Sequence, residues 1–252
     1  MKILARTQMF SQYSILESLA VIKNLGFEGV EICMERQDWS LHALTKLPIA
    51  AIRSQLDTLG LATNSFSMHR DYVYDDEFFA LMKAAIQLTP QLGTNIFVFA
   101  DAKPKSDDAW ERMIVRTREL VAVAEEIDVI LAKEFEPDFI VGSTADMLRM
   151  FAEIPSPNLV ANLDLGHVFI CDPDPMAAIR QLGEKIVHVH IENMPAGVHD
   201  HLLPHEGDMD LLAYLDALTV VGFEGGMALD LYKYDYEAVA PEAIAYIRDL
   251  LN

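Results

Sequence analysis

Along the chain, short apolar runs alternate with longer stretches in which apolar residues recur every three to four positions. The short runs are KILART, GVEICM, LATNSFSM, NIFVFA, VILAKEF, LVANLD, IVHVHI and GMALDLY, beginning at residues 2, 29, 61, 95, 129, 159, 186 and 226. Each is brief and rich in branched or aromatic residues, so each reads as a buried strand. Helical periodicity marks SILESLAVIKNLG, PIAAIRSQLDTLG, FFALMKAAIQL, AWERMIVRTRELVAVAEEI, TADMLRMFAEI, LLAYLDALTVVG and the closing PEAIAYIRDLLN. Several of these end in glycine, which takes the left-handed helix cap without steric cost. Repeated strand and helix units around eight strands in 252 residues predict an α/β chain folded as a (β/α)8 TIM barrel, a single domain over residues 1–252. An open doubly wound sheet usually carries a glycine-rich phosphate loop after an early strand, and the sequence has none.

In a barrel, alternate strand residues face the lumen, and functional groups sit where strands end on the C-terminal face. Polar residues here keep to one phase: Ile130, Ala132, Glu134 and Glu136; Val160, Asn162 and Asp164; His188 and His190; Gly226, Ala228 and Asp230. Earlier strands add Glu31 and Cys33, then Ser65, Ser67 and His69. The opposite phase is mainly Val, Leu, Ile and Phe, with Lys133 the exception. A ring of acids and imidazoles in an apolar barrel is costly unless something pairs with it, and a divalent cation pairs with several at once. Three carboxylates and one imidazole form a mostly hard set, suited to Mn²⁺ or Mg²⁺, with Co²⁺ and Zn²⁺ also admissible.

Composition changes this picture mainly by exclusion. The chain is 52% hydrophobic, ample for a core, and no Pro-, Gly- or Ser-rich linker divides it. Nineteen Lys and Arg against 39 Asp and Glu give a net charge of −20, which repels phosphate backbones and argues against a nucleic-acid partner. No apolar run is long enough to cross a bilayer, and MKILARTQMFSQ lacks the apolar stretch of a signal peptide. Two cysteines, Cys33 and Cys171, make no disulfide framework, so a cytoplasmic location is expected. Assembly into a homo-oligomer is left open.

The segments LAKEFEP, NLDLGH, HVHIEN and GFEGGMALDLY, in this order and spacing, resemble the sugar phosphate isomerase/epimerase superfamily, the xylose isomerase-like barrels. That family includes ketose 3-epimerases, hydroxypyruvate isomerases, inosose dehydratases and endonuclease IV. The resemblance implies a cation held by Glu134, Asp164, His190 and Asp230, the last standing where the family usually has glutamate. It also implies that His167 contacts a substrate oxygen. For the epimerases it implies a cation-stabilised ene-diolate with Glu134 and Asp230 as base and acid on opposite faces; such chemistry is physically reasonable for carboxylates beside a cation. One competent acid would instead favour 1,2-isomerisation or dehydration.

Around this set, Glu136 shares the phase of Glu134 and is an alternative ligand. His69 is either a satisfied inner histidine or a pocket wall, and His188 is either a substrate contact or a support behind His190. The loop PAGVHDHLLPHEGDMD brings His199, His201 and His205, a possible second cation site like that of the DNA-repair members or a solvent loop that closes over substrate, and Asp208 reads as the next helix's N-cap. Candidates for phosphate recognition are few, namely Lys103, Lys105, Arg6 and Arg70, so an unphosphorylated polyol, keto-sugar or small hydroxy-keto acid is favoured. Met34, Met68, Trp39 and Trp110 read as packing residues before pocket residues. The expected function is a metal-dependent sugar isomerase or epimerase. Its rivals are a dehydratase of the inosose or dehydroshikimate type and a weakened barrel that only binds metal or sugar.

Overall fold

The eight apolar runs pair in parallel, each with the next, and the last closes onto the first. In the computed structural model, described over residues 1–37, 39 and 44–252, the strands are β1 (Lys2–Arg6), β2 (Gly29–Cys33), β3 (Ala62–Ser67), β4 (Ile96–Phe99), β5 (Ile130–Lys133), β6 (Leu159–Asp164), β7 (Ile186–Ile191) and β8 (Gly226–Leu229). Among the described residues, nine α-helices accompany them: α1 (Ile15–Asn24), α2 (Ile49–Leu59), α3 (Asp76–Leu88), α4 (Ala109–Glu126), α5 (Thr144–Glu153), α6 (Leu165–Cys171), α7 (Pro175–Leu182), α8 (Leu211–Val220) and α9 (Tyr236–Leu250). The expected (β/α)8 barrel is the fold.

Strand alternation divides the interior into two cores. Residues of the outward phase, among them Val30, Phe97, Leu131, Leu163, Val189 and Met227, are fully buried in the large cluster shared with the helices. A small separate cluster, Val98, Ala132 and Val160, packs in the lumen below the polar layer. Leu4 reaches across the base of the lumen, and two glycines make room for it. A Cβ on Gly226 would lie 2.3 Å from Leu4 Cδ1 and 2.5 Å from Asn64 Nδ2, and one on Gly29 would lie 2.6 Å from the Ala62 carbonyl.

Register then sets the layers on the C-terminal side. Asn162 pairs with His188 and Asp164 with His190 between β6 and β7, while Arg6 pairs with Glu31 between β1 and β2. Lys133 faces outward, as its phase requires, yet it is fully buried because its Nζ lies 3.0 Å from Asp101 Oδ2 in the loop after β4.

Helix boundaries show three departures from the sequence pattern. Between β6 and β7 lie two short helices, α6 and α7, where the periodicity marks none; Asp164 ends the strand, as the run LVANLD predicts, and caps α6, its side chain accepting from His167 N. The last helix starts at Tyr236, five residues before Pro241, because Asp235 caps it through Ala238 N. Asp210, not Asp208, caps α8; Asp208 accepts from Ala196 N and braces the preceding loop.

Candidate active site and cation centre

The polar phase delivers its side chains into one buried knot. Glu134, the first residue after β5, accepts a 2.6 Å hydrogen bond from Asn162 Nδ2, and its Oε2 lies 3.1 Å from both His69 Nε2 and His190 Nδ1. Asp164 uses Oδ1 to cap α6, accepting from His167 N at 2.8 Å. Its buried Oδ2 has no hydrogen-bond partner and stands 3.9 Å from His190 Nδ1. Ligand atoms of Glu134, Asp164 and His190 all lie within 4.8 Å of one another. Asp230 sits at the edge of this group: its Oδ1 is 2.5 Å from Arg6 Nη1, and its Oδ2 accepts from the Tyr232 hydroxyl at 3.2 Å and lies 3.9 Å from His190 Nδ1.

Burial alone would push these groups toward their neutral forms, and their partners overrule it. Burial raises the Glu134 carboxyl, but His190 and His69 hold it well below the usual carboxylate range. Burial likewise opposes Glu31, which Arg6 and His190 keep ionised. Burial would lower His190, yet Glu134 and Glu31 raise it well above the ordinary imidazole value. Both of its nitrogens face carboxylates, with Nε2 3.0 Å from Glu31 Oε2 and Nδ1 3.1 Å from Glu134 Oε2, an arrangement that favours the protonated ring. A ligating histidine must be neutral.

His188 behaves oppositely. Burial pushes it down to about 3, and it is neutral: Nδ1 donates to Asn162 Oδ1 at 2.8 Å, and Nε2 accepts from Ser65 Oγ at 2.9 Å. It is fully buried beneath the cavity floor, where it orients Asn162 and through it Glu134.

A second polar group lies beside the first. Glu192, two residues beyond His190 and in the same phase, is fully buried; its Oε1 accepts from Gly166 N at 2.7 Å, while Oε2 has no hydrogen-bond partner. Burial, with Asp164 and Asp230 alongside, pushes its carboxyl well above the usual range. Asp164, Glu192, His201 and Asp230 all bring a ligand atom within 4.8 Å of one another. Gly166 permits this approach, since a Cβ there would lie 2.5 Å from Glu192 Oε1. Unpartnered buried oxygens on Asp164 and Glu192, next to a hard donor set, fit a divalent cation.

Above this floor, three histidines converge. His167 Nδ1 donates to the Phe135 carbonyl at 2.9 Å and His201 Nδ1 to the Asp230 carbonyl at 3.0 Å. A carbonyl only accepts, so in neutral rings both Nε2 atoms present lone pairs. They meet His199 Nε2 at 3.0 and 3.2 Å. Lone pairs at that spacing repel unless protons or a cation stand between them. His205 is not part of this group: it lies 3.7 Å from Glu242 and packs edge-on against Tyr246.

The knot opens into a cavity of about 950 Å³. Its walls include the sequence-derived candidates His69, Glu134, Glu136, His167, His199, His201 and Asp230. Glu136 is raised by its burial and by neighbouring Glu134. Arg6 and Arg70 also line the cavity, whereas Lys105 pairs with Asp71 and Lys103 with Asp138, both outside it. Among the described residues, Met34, Met68, Trp39 and Trp110 are not on its walls. Two contributors carry no such assignment from sequence: Arg6, weighed only for phosphate, and Glu192, whose phase with His190 was the available signal.

Comparisons with known proteins agree with the fold. The family model described as "Xylose isomerase-like TIM barrel" matches residues 19–250. A fructoselysine 3-epimerase of Shigella flexneri is 23% identical over 248 residues, covering 90% of each chain. A 3-dehydroshikimate dehydratase of Bacillus anthracis is 26% identical over 190 residues, covering 70% of this chain and 65% of its own. Among solved structures, a 3-keto-D-glucoside 4-epimerase from E. coli superposes with a TM-score of 0.83 at 19% identity, covering 99% of both chains.

Proposed function

The chain belongs to the xylose isomerase-like TIM barrel family, and on that footing we propose that it is a divalent-metal-dependent isomerase or epimerase of a keto-sugar or small hydroxy-keto compound. The observation that carries the proposal is the convergence of Glu134, Asp164 and His190 beneath an open cavity. Its curated relatives that act on sugars, such as the fructoselysine 3-epimerase, support the substrate class.

The residues that would hold the cation are Glu134, Asp164, His190 and Asp230; Mn²⁺ suits this oxygen-rich set best, with Mg²⁺, Co²⁺ or Zn²⁺ able to replace it. When bound, such an ion supplies electrostatic stabilisation of negative charge on a substrate oxygen. The chain's own residues do the rest. Glu134 is ionised and fixed by Asn162, so it is the base that takes a proton from the carbon beside the substrate carbonyl. Asp230, on another wall, returns a proton to the opposite face in an epimerisation. His167, raised against its burial by Asp164 and Glu134, orients a substrate oxygen, while His69, Glu136 and His201 shape the cavity. His167, His199 and His201 could hold a second, more nitrogen-rich cation site over the first.

One observation favours a second reading. Asp230 is engaged on both oxygens, by Arg6 and by Tyr232, which leaves it a poor proton donor. With Glu134 as the single competent group, one-base chemistry follows, either 1,2-isomerisation or loss of water as in a dehydratase.

Incubating a ketose and hydroxy-keto acid panel with protein and Mn²⁺ in D₂O separates these readings. Deuterium at one substrate carbon with altered configuration supports epimerisation, deuterium with carbonyl migration supports isomerisation, and release of water supports the lyase. No exchange on any substrate would leave a binding barrel and contradict the enzymatic reading.

A further inference from the structure

Asp230 is one methylene shorter than the acid the family usually places at the end of strand eight, and one of its oxygens is 2.5 Å from the Arg6 guanidinium. A cation centred on Glu134, Asp164 and His190 therefore receives less from strand eight than that arrangement supplies. Glu192 stands where the deficit would be felt. It enters from β7, on the lumen phase, and is fully buried. Its Oε1 is anchored on Gly166 N, so the carboxylate is fixed in orientation, with a ligand atom within 4.8 Å of those of Asp164 and Asp230. No hydrogen-bond donor reaches Oε2 or Asp164 Oδ2. The nearest ring nitrogen to Glu192 Oε2, His201 Nδ1, is 3.9 Å away and already donates to the Asp230 carbonyl. Unlike Asp230, Glu192 has no Lys or Arg within ion-pair distance among the described residues.

We propose that Glu192 is a ligand of the bound cation, supplying from just beyond strand seven an oxygen in addition to the one that the Arg6-tethered Asp230 can offer. The inference rests on the reading of this site as a cation centre and adds a residue to it. Glu192, Asp164, Asp230 and His201 each bring a ligand atom within 4.8 Å of the others, and Asp164 joins this group to Glu134 and His190; His190 Nδ1 is 3.9 Å from Oδ2 of each aspartate. The fixed position of Glu192 depends on Gly166, where a Cβ would collide with its Oε1 at 2.5 Å and with Met194 Cε at 2.3 Å. A glycine between Asp164 and His167 therefore serves the strand-seven acid as well as the turn.

The discriminating variant is Glu192→Gln. The amide retains the acceptor for Gly166 N and can donate to Asp164 Oδ2, so it satisfies the metal-free site while removing the charged ligand. Chelator-stripped wild type and Glu192→Gln are titrated with Mn²⁺ by calorimetry and melted with and without Mn²⁺. Loss of even an outer-shell partner costs roughly 10- to 100-fold in metal affinity, so Glu192→Gln is expected to lose about 100-fold or more. Its metal-free melting temperature should stay level or rise, while the increment produced by Mn²⁺ shrinks. A residue serving only to brace the turn would instead spare the affinity in Glu192→Gln, because the amide still accepts from Gly166 N. Glu192→Asp, which retains charge but not reach, reads the same loss of affinity if the amide fails to fold. Wild-type affinity in the variants, with wild type itself binding Mn²⁺, overturns the assignment of Glu192 alone. Failure of the wild type to bind Mn²⁺ overturns both this assignment and the cation centre.

Discussion

Single residues here carry more than one task, and that decides what their substitution should do. Asp164 caps α6 with Oδ1 and presents Oδ2 to the site. Asp164→Asn should retain the cap and lose cation affinity; Asp164→Ala should lose the affinity and a further ~1 kcal/mol of stability, the usual value of such a cap. Urea denaturation of the two stripped variants checks the difference, and equal stabilities would deny the capping role. Lys133 is another case. Its outward phase predicted an apolar residue, and the lysine is tolerated because Asp101, 3.0 Å away, is buried with it. Lys133→Met should cost about 3–5 kcal/mol by leaving Asp101 buried without its cation. The anomaly at Lys133 was visible in the sequence, but its partner was not, since nothing local ties a loop acid after β4 to a residue on β5. Glu192 was hidden differently: its parity was plain, but a carboxylate gains meaning only when the oxygens around it are seen to lack donors.

At the scale of elements, periodicity located every strand, because each is a short apolar run bounded by polar turns. It missed α6 and α7 between β6 and β7, because each is too short to display a helical repeat. The end of β6 at Asp164 was legible, but not that its side chain caps the helix that follows. Tight packing at the barrel base was also illegible, as Gly226 looks unremarkable until Leu4 and Asn64 are found against it. Gly226→Ala should destabilise the barrel by about 1–3 kcal/mol through overpacking. Thermal melts check this, and an unchanged melting temperature would mean that Leu4 and Asn64 move aside freely.

Across the whole molecule, the barrel brings the ends of its first, second and last strands into one ring, as the 3.0 Å contact between Arg6 and Glu31 and the 2.5 Å contact between Arg6 and Asp230 illustrate. The ordered acids and histidines could be aligned to that ring from sequence alone, since a closed sheet gives every lumen-phase residue the same destination. What the ring lacks could not: two unpartnered carboxylate oxygens, a His190 with a carboxylate beside each nitrogen and three ring nitrogens meeting face to face are properties of the assembled site. The charge of −20 adds a general attraction for cations and a repulsion of polyanions. Among the described residues no helix is long and apolar enough to cross a membrane. The most direct test of the cation centre is a Mn²⁺ titration of chelator-stripped protein followed by electron paramagnetic resonance, comparing wild type with Asp164→Asn. The wild type should quench the sharp signal of the hydrated ion up to a saturating stoichiometry, and the variant should leave that signal free over the same range; quenching that is absent in the wild type, or identical in both, would contradict the account.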